Sequence, residues 1–236
     1  MDLHDVNVLI HQNLPRPEFY IEDILPKQGV MLVYGNPKVK KSWLVSHMGY
    51  AIATGDNWLG LHTTQGRVFM GQFEISPYSY ANRMQSMGRH FQLQDNMYFE
   101  TSPGLCYLEE PENYNRLKEV INRVEPAVIF LDCMAACFGG DENDSREMAH
   151  FIEIATDLRA LHNSSLVIVH HTNKNILTNN SVDRARGHSR LAGWVDTLLY
   201  MAEQPTGVQL QIKSRQATRE IPNINVGFTD HNWIIR

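Results

Sequence analysis

Short apolar runs and helix-period stretches alternate along most of this chain. Val30–Tyr34, Arg67–Phe73, Met97–Glu100, Ala127–Leu131, Ser165–His170, Thr197–Met201 and Val208–Ser214 read as strands. Between them, Ser42–Thr54, Pro77–Met87, Asn113–Val124 and Ser145–Leu161 read as helices. In the third helix Leu117, Val120, Ile121 and Val124 fall at helical spacing, and in the fourth Phe151, Ile154, Ala155, Leu158 and Leu161 do. Asp141-Glu142-Asn143-Asp144 offers N-cap residues just before the fourth helix. Strands that alternate with helices predict an α/β fold, with a mostly parallel central sheet and helices on both faces. Val128–Leu131 and Leu166–Val169 are unbroken apolar runs, as central parallel strands should be. No helix separates the last strands, so an antiparallel C-terminal extension is expected at one sheet edge. Residues 1–28 are polar and punctuated by Pro15, Pro17 and Pro26. They read as a short N-terminal arm and connector, which leaves 29–236 as one domain.

Composition narrows the function classes. A chain of 236 residues that is 43% hydrophobic can bury a substantial single core. A formal net charge of −5 disfavours a surface that is basic throughout, yet leaves room for a locally basic channel. No apolar run approaches the roughly 20 residues that span a bilayer, and the ends show no signal peptide. Cys106, Cys133 and Cys137 are odd in number and lack metal-type spacing. Free thiols in a reducing cytoplasm are the expectation.

In such folds, ligands bind beyond the carboxyl ends of the strands. After the first strand comes Gly35-Asn36-Pro37-Lys38-Val39-Lys40-Lys41-Ser42, then Trp43 and a helix. This is nearly the phosphate loop G-x-x-x-x-G-K-[ST], with Lys40 where the second glycine belongs. Backbone N–H groups of such a loop wrap phosphate, aided by the positive helix end. Lys41 would neutralise the phosphate oxygens of ATP, and Ser42 would hold Mg2+. Lys40 must either accept a left-handed conformation, at about 1–2 kcal/mol, or point outward with ordinary angles. Glu74, just past the second strand, can polarise an attacking water. Asp132 closes the apolar run "VIFLD" and suits a magnesium-organising carboxylate. His170 and His171 close another strand in "VIVHHTNK". They either sense the γ-phosphate or are satisfied by backbone groups.

"GNPKVKKSWL", "FEISPYSYANRM", "VIFLD", "DENDSREM", "VIVHHTNK" and "RARGHSRLAGWVDTLLYM" occur in that order. Together they resemble the RecA-like ATPases related to the plasmid replicative helicase RepA, over nearly the whole chain after about Phe19. The resemblance implies a RecA-like P-loop NTPase core that uses ATP and Mg2+. It also implies a hexameric ring moving 5′→3′ on single-stranded DNA, with replication or mobile-element proteins as further partners. Lys41 and Ser42 match the phosphate-loop lysine and hydroxyl, Glu74 the water-activating glutamate, and Asp132 the magnesium aspartate. His171 matches the histidine after the sensor strand, and Arg83 lies where relatives place an arginine near the base. Lys213 and Arg215 match a Lys-x-Arg pair that relatives insert into a neighbour's site. Some members carry a basic residue at the Lys40 position.

Asn173 to Arg190 would face the channel of such a ring. Lys174, Arg184, Arg186 and Arg190 there suit phosphate contacts that do not depend on base sequence. Beside the short N-terminal arm, no helicase accessory domain is expected from these 236 residues. A non-motor ATP-binding module, such as a helicase loader or a regulatory subunit, is therefore the other reading.

Overall fold

Where the chain runs apolar without a break, it forms central strands. A computed structural model describes residues 5–12, 17–92, 95–101, 104, 106–171 and 189–236. The N-terminal part comprises α1 (Val6–Ile10), β1 (Phe19–Ile21), β2 (Leu25–Pro26), β3 (Val30–Gly35) and α2 (Lys41–Thr54). Next come β4 (Val68–Gln72), α3 (Pro77–Gly88), β5 (Met97–Thr101), α4 (Pro111–Val124) and β6 (Val128–Asp132). They are followed by α5 (Met134–Cys137), α6 (Ser145–Ala160), β7 (Ser165–His171) and α7 (Ser189–Trp194). The chain ends in β8 (Thr197–Gln204), β9 (Gly207–Ser214), β10 (Ile224–Thr229) and β11 (Asn232–Ile235).

Among the described residues, nine strands form one sheet in the order β11-β10-β9-β8-β3-β7-β6-β4-β5. From β8 to β5 every neighbour is parallel, and β9, β10 and β11 add on antiparallel. Helices flank this sheet, so the expected α/β core with an antiparallel C-terminal extension is the observed one. Among the described residues no helix is long and apolar enough to cross a membrane.

β3, β4 and β6 are buried at every residue, as strands covered on both faces must be. α2 is buried almost all round, from Leu44 to Ala53, and so shows no amphipathic stripe. It can lie this close to the sheet because Gly49 faces Met70 and Met97. A Cβ there would meet the ends of both side chains at 3.1 Å. Residues 19–26 form the β1–β2 hairpin, and Ile21, Ile24 and Leu25 are fully buried in the core.

The hairpin of β10 and β11 has no counterpart among the strands expected from periodicity. Its turn places Asp230 and His231 at φ 44° and 59°. Two positive φ values mark the hairpin turn normally signalled by Asn-Gly. With no glycine in the turn, that signal is missing.

Candidate functional site

The phosphate loop leaves the middle of the sheet, where β3 lies between β7 and β8. Gly35 pairs with His171 on one side and Met201 on the other. A Cβ on Gly35 would sit 2.8 Å from the Met201 carbonyl oxygen, so a side chain there would push the strands apart. Lys40 adopts φ 67° and ψ 35° and caps α2. Of the two conformations open to it, the loop therefore imposes the left-handed one. Its ammonium group lies 5.0 Å from the centre of the Phe228 ring.

Lys41 is buried, and its Nζ donates to the carbonyls of Gly35 and Asn36 at 2.9 Å each. Burial brings its pKa down to about 8, against the opposing pull of Asp132, Cys133 and Glu74. The lysine is thus curled back onto its own loop, within reach of a phosphate that would replace the two carbonyls.

Asp132 is buried at the end of β6, directly beside Gln72 at the end of β4. Burial pushes its carboxyl pKa up to about 6. The Ser42 hydroxyl opposes that shift, Glu74 adds to it, and Gln72 and Lys41 oppose it again. Asp132 Oδ1 has no hydrogen-bond partner among the described residues. A buried carboxylate oxygen without a partner, beside a hydroxyl, fits the hard oxygen ligation of Mg2+. Ser42 and Asp132 are the residues that would hold the ion.

Gln72 joins the two acidic elements. Its Nε2 donates to Asp132 Oδ2 at 2.7 Å, and its Oε1 accepts from the backbone N–H of Glu74 and Ile75 at 2.7 and 3.2 Å. Sequence reasoning passed over this residue, although a single amide ending an apolar strand was its signal. Glu74 is half-exposed, with Oε2 3.7 Å from His171 Nε2. Burial and the Lys41 charge hold the His171 pKa below the usual value, against the attraction of Glu74.

Lys38, Lys41, Ser42, Glu74, Arg83 and His171 line one cleft of about 320 Å³, together with Lys40, Trp43 and Ile75. Along one wall the Arg83 guanidinium lies over the Trp43 ring, 5.4 Å from its centre. Trp43 in turn packs edge-on against Phe228 and His231, with centroids 5.0 and 5.4 Å apart. The unexpected β10–β11 hairpin therefore backs this wall.

Other residues singled out in the sequence lie elsewhere. His170 points to the opposite face of the sheet from His171 because strand side chains alternate. It is buried there, 3.8 Å from Glu142. Ser214 pairs with Thr197 at the start of β8, whereas Gly35 pairs with Met201. Lys213 and Arg215 thus sit at the far end of the sheet from their own phosphate loop, roughly 13 Å along the strands. The Arg215 side chain donates to the Gly193 carbonyl. Arg190 donates to the Ser145 carbonyl at the start of α6. Lys174, Arg184 and Arg186 lie outside the described residues.

The family profile described as AAA domain matches residues 3–176, which span every cleft-lining residue named above. No curated protein matches the chain.

Proposed function

We propose, for a chain that belongs to the AAA domain family of P-loop ATPases, a RepA-like motor that hydrolyses ATP to act on single-stranded DNA as a ring. One observation carries the ATPase part. The ends of β3, β4, β6 and β7 bring Lys41, Ser42, Glu74, Asp132 and His171 to one cleft or its floor.

Lys41 would exchange its two loop carbonyls for phosphate oxygens and balance their charge. Mg2+ bound at Ser42 and Asp132 would neutralise charge on the β- and γ-phosphate oxygens. Glu74 would orient the attacking water and accept its proton, held in place through its backbone bond to Gln72. His171 would sense the γ-phosphate beside Glu74. Arg83 and Trp43 form a flat, cationic wall suited to a base.

The DNA part rests on chain continuity. Lys174, Arg184, Arg186 and Arg190 belong to the stretch that leaves β7 directly after His171. A change at the γ-phosphate would therefore pass straight into a basic segment fit for phosphate contacts. Replication or maintenance of a mobile element is the setting that the RepA resemblance supports.

Glu74→Gln tests the chemistry. Nucleotide binding should persist while turnover drops about 10²–10⁴-fold, the usual worth of a general base. Unchanged turnover removes Glu74 from its role. Single-stranded DNA should stimulate the ATPase of the unaltered protein. Replacing Arg184, Arg186 and Arg190 by Ala should flatten the salt dependence of DNA binding by about 0.7 per lost contact. An ATPase indifferent to DNA would instead assign the chain to the non-motor modules.

A further inference from the structure

Cys133 follows Asp132 directly and is buried. Its Sγ, a Glu74 carboxylate oxygen and a His171 ring nitrogen all lie within 4.8 Å of one another. Three separate strand ends deliver them: Glu74 follows β4, Cys133 follows β6, and His171 closes β7. Glu74 Oε2 and His171 Nε2 are 3.7 Å apart. Zinc bonds of about 2.0–2.3 Å put neighbouring tetrahedral ligands roughly 3.3–3.8 Å apart. That oxygen–nitrogen pair stands a few tenths of an ångström beyond its own spacing of about 3.3–3.5 Å, and a shift of about 1 Å brings the sulfur in.

The donor set is as informative as the spacing. Magnesium takes oxygen ligands, whereas thiolate with imidazole and one carboxylate selects zinc and similar transition metals. Three protein ligands leave a fourth position, which suits water.

We propose that Glu74, Cys133 and His171 form a site for a thiophilic divalent cation of the zinc class, whose occupation switches off the ATPase. Binding exchanges the Cys133 S–H bond for a metal–sulfur bond, and the proton passes to solvent. No electron changes hands. The Glu74 carboxylate is then a metal ligand and can no longer accept a proton from water. The inhibition rests on the role proposed above for Glu74, but the binding does not.

Cobalt(II) titrated into the full chain, without nucleotide, is the direct probe. Thiolate ligation gives it a near-ultraviolet charge-transfer band, and a tetrahedral site gives intense visible bands. One such cobalt per chain is expected, displaced by zinc. The thiolate band should vanish in Cys133→Ser and persist in Cys106→Ser. Glu74→Gln, at a half-exposed position outside the core, should weaken cobalt binding at least about tenfold. In the ATPase assay, zinc should reduce turnover by about 10²-fold, and Cys133→Ser should need at least about tenfold more zinc for the same effect. A cobalt complex without the thiolate band, or a band that survives Cys133→Ser, overturns the site and leaves the Glu74 role standing. A band that follows Cys133 while zinc leaves turnover unchanged overturns the inhibition.

Discussion

Lys40 carries a Cβ at a left-handed position, φ 67° and ψ 35°, where the phosphate-loop pattern has glycine. That conformation costs about 1–2 kcal/mol. The Phe228 ring beneath its ammonium returns about 0.5–1 kcal/mol. Lys40→Gly removes both effects and adds freedom to the unfolded chain. Its unfolding free energy should lie within about 1 kcal/mol of the parent, read from urea midpoints. His47 makes a second prediction at this scale. It is buried on α2 with its ring edge-on to Phe91, and burial brings its pKa down to about 4, against a bond to Asn232. An unfolded histidine takes up its proton near its ordinary value of 6.5, and the folded one does so only near 4. Between those values the unfolded state binds more protons, so stability is lost as pH falls from about 6.5 toward 4. Between pH 7.5 and 5 the loss is about 2 kcal/mol, at about 1.4 kcal/mol per unit. His47→Gln should abolish that loss, measured as the difference between the two proteins at both pH values. Asp132, whose pKa is pushed up to about 6, acts in the opposite sense. It is present in both proteins and cancels in the difference.

At the scale of elements, the acidic half of the cleft depends on how β4 and β6 pair. Their register sets Gln72 beside Asp132. One amide then spans from the β6 carboxylate to the backbone that carries Glu74. Gln72→Leu fills the space but leaves a buried carboxylate oxygen and two backbone N–H groups without this partner. The loss should be at least about 2 kcal/mol in unfolding free energy. Turnover should fall as well, while the KM for ATP changes less, because the phosphate loop belongs to β3 and α2. Equal turnover in parent and variant would show that Glu74 keeps its place without the amide. The β10–β11 hairpin plays a comparable part on the other wall. Phe228 packs edge-on to Trp233 at 5.1 Å and supports Trp43, on which Arg83 stacks.

At the scale of the whole molecule, the position of Arg215 decides what it can do. The sheet puts it at the end opposite its own phosphate loop, so any action on a γ-phosphate must be on another subunit's. Asp23 secures the turn that follows Arg215. It accepts from Thr218 N and Oγ1 at 3.2 Å and pairs with Arg219 at 3.3 Å. An arginine acting in trans contributes about 10³–10⁵ in rate in other phosphoryl-transfer systems. Arg215→Ala alone should bind ATP and be nearly inactive, and Lys41→Ala alone should be inactive with its own site unfilled. Once subunits exchange, the mixture should recover activity, because one subunit's Arg215 can meet the other's Lys41. A mixture that stays as inactive as its parents removes Arg215 from the neighbour's site.

Local pattern alone made much of this protein legible. β3 and α2 were readable because the apolar period changes across Gly35 to Ser42, and short-range sterics govern each period. The gathering of Lys41, Ser42, Glu74 and Asp132 at the strand ends was readable, because parallel strands discharge their chains at one edge of a sheet. Pairing between distant segments was not readable. Gln72 bonds a residue 60 positions away, and nothing near it in the chain announces Asp132. Cys133 lacked metal spacing along the chain, yet three strands of one sheet set it beside Glu74 and His171. The side-chain alternation of β7 separates two adjacent histidines onto opposite faces, and only the cover on each face tells them apart. Lys40 took the left-handed form because loop closure between β3 and α2 requires it, whichever residue stands there. Spacing along a chain reports the neighbours that the backbone itself supplies, whereas sheet register chooses the rest, and it is set by the packing of the whole core.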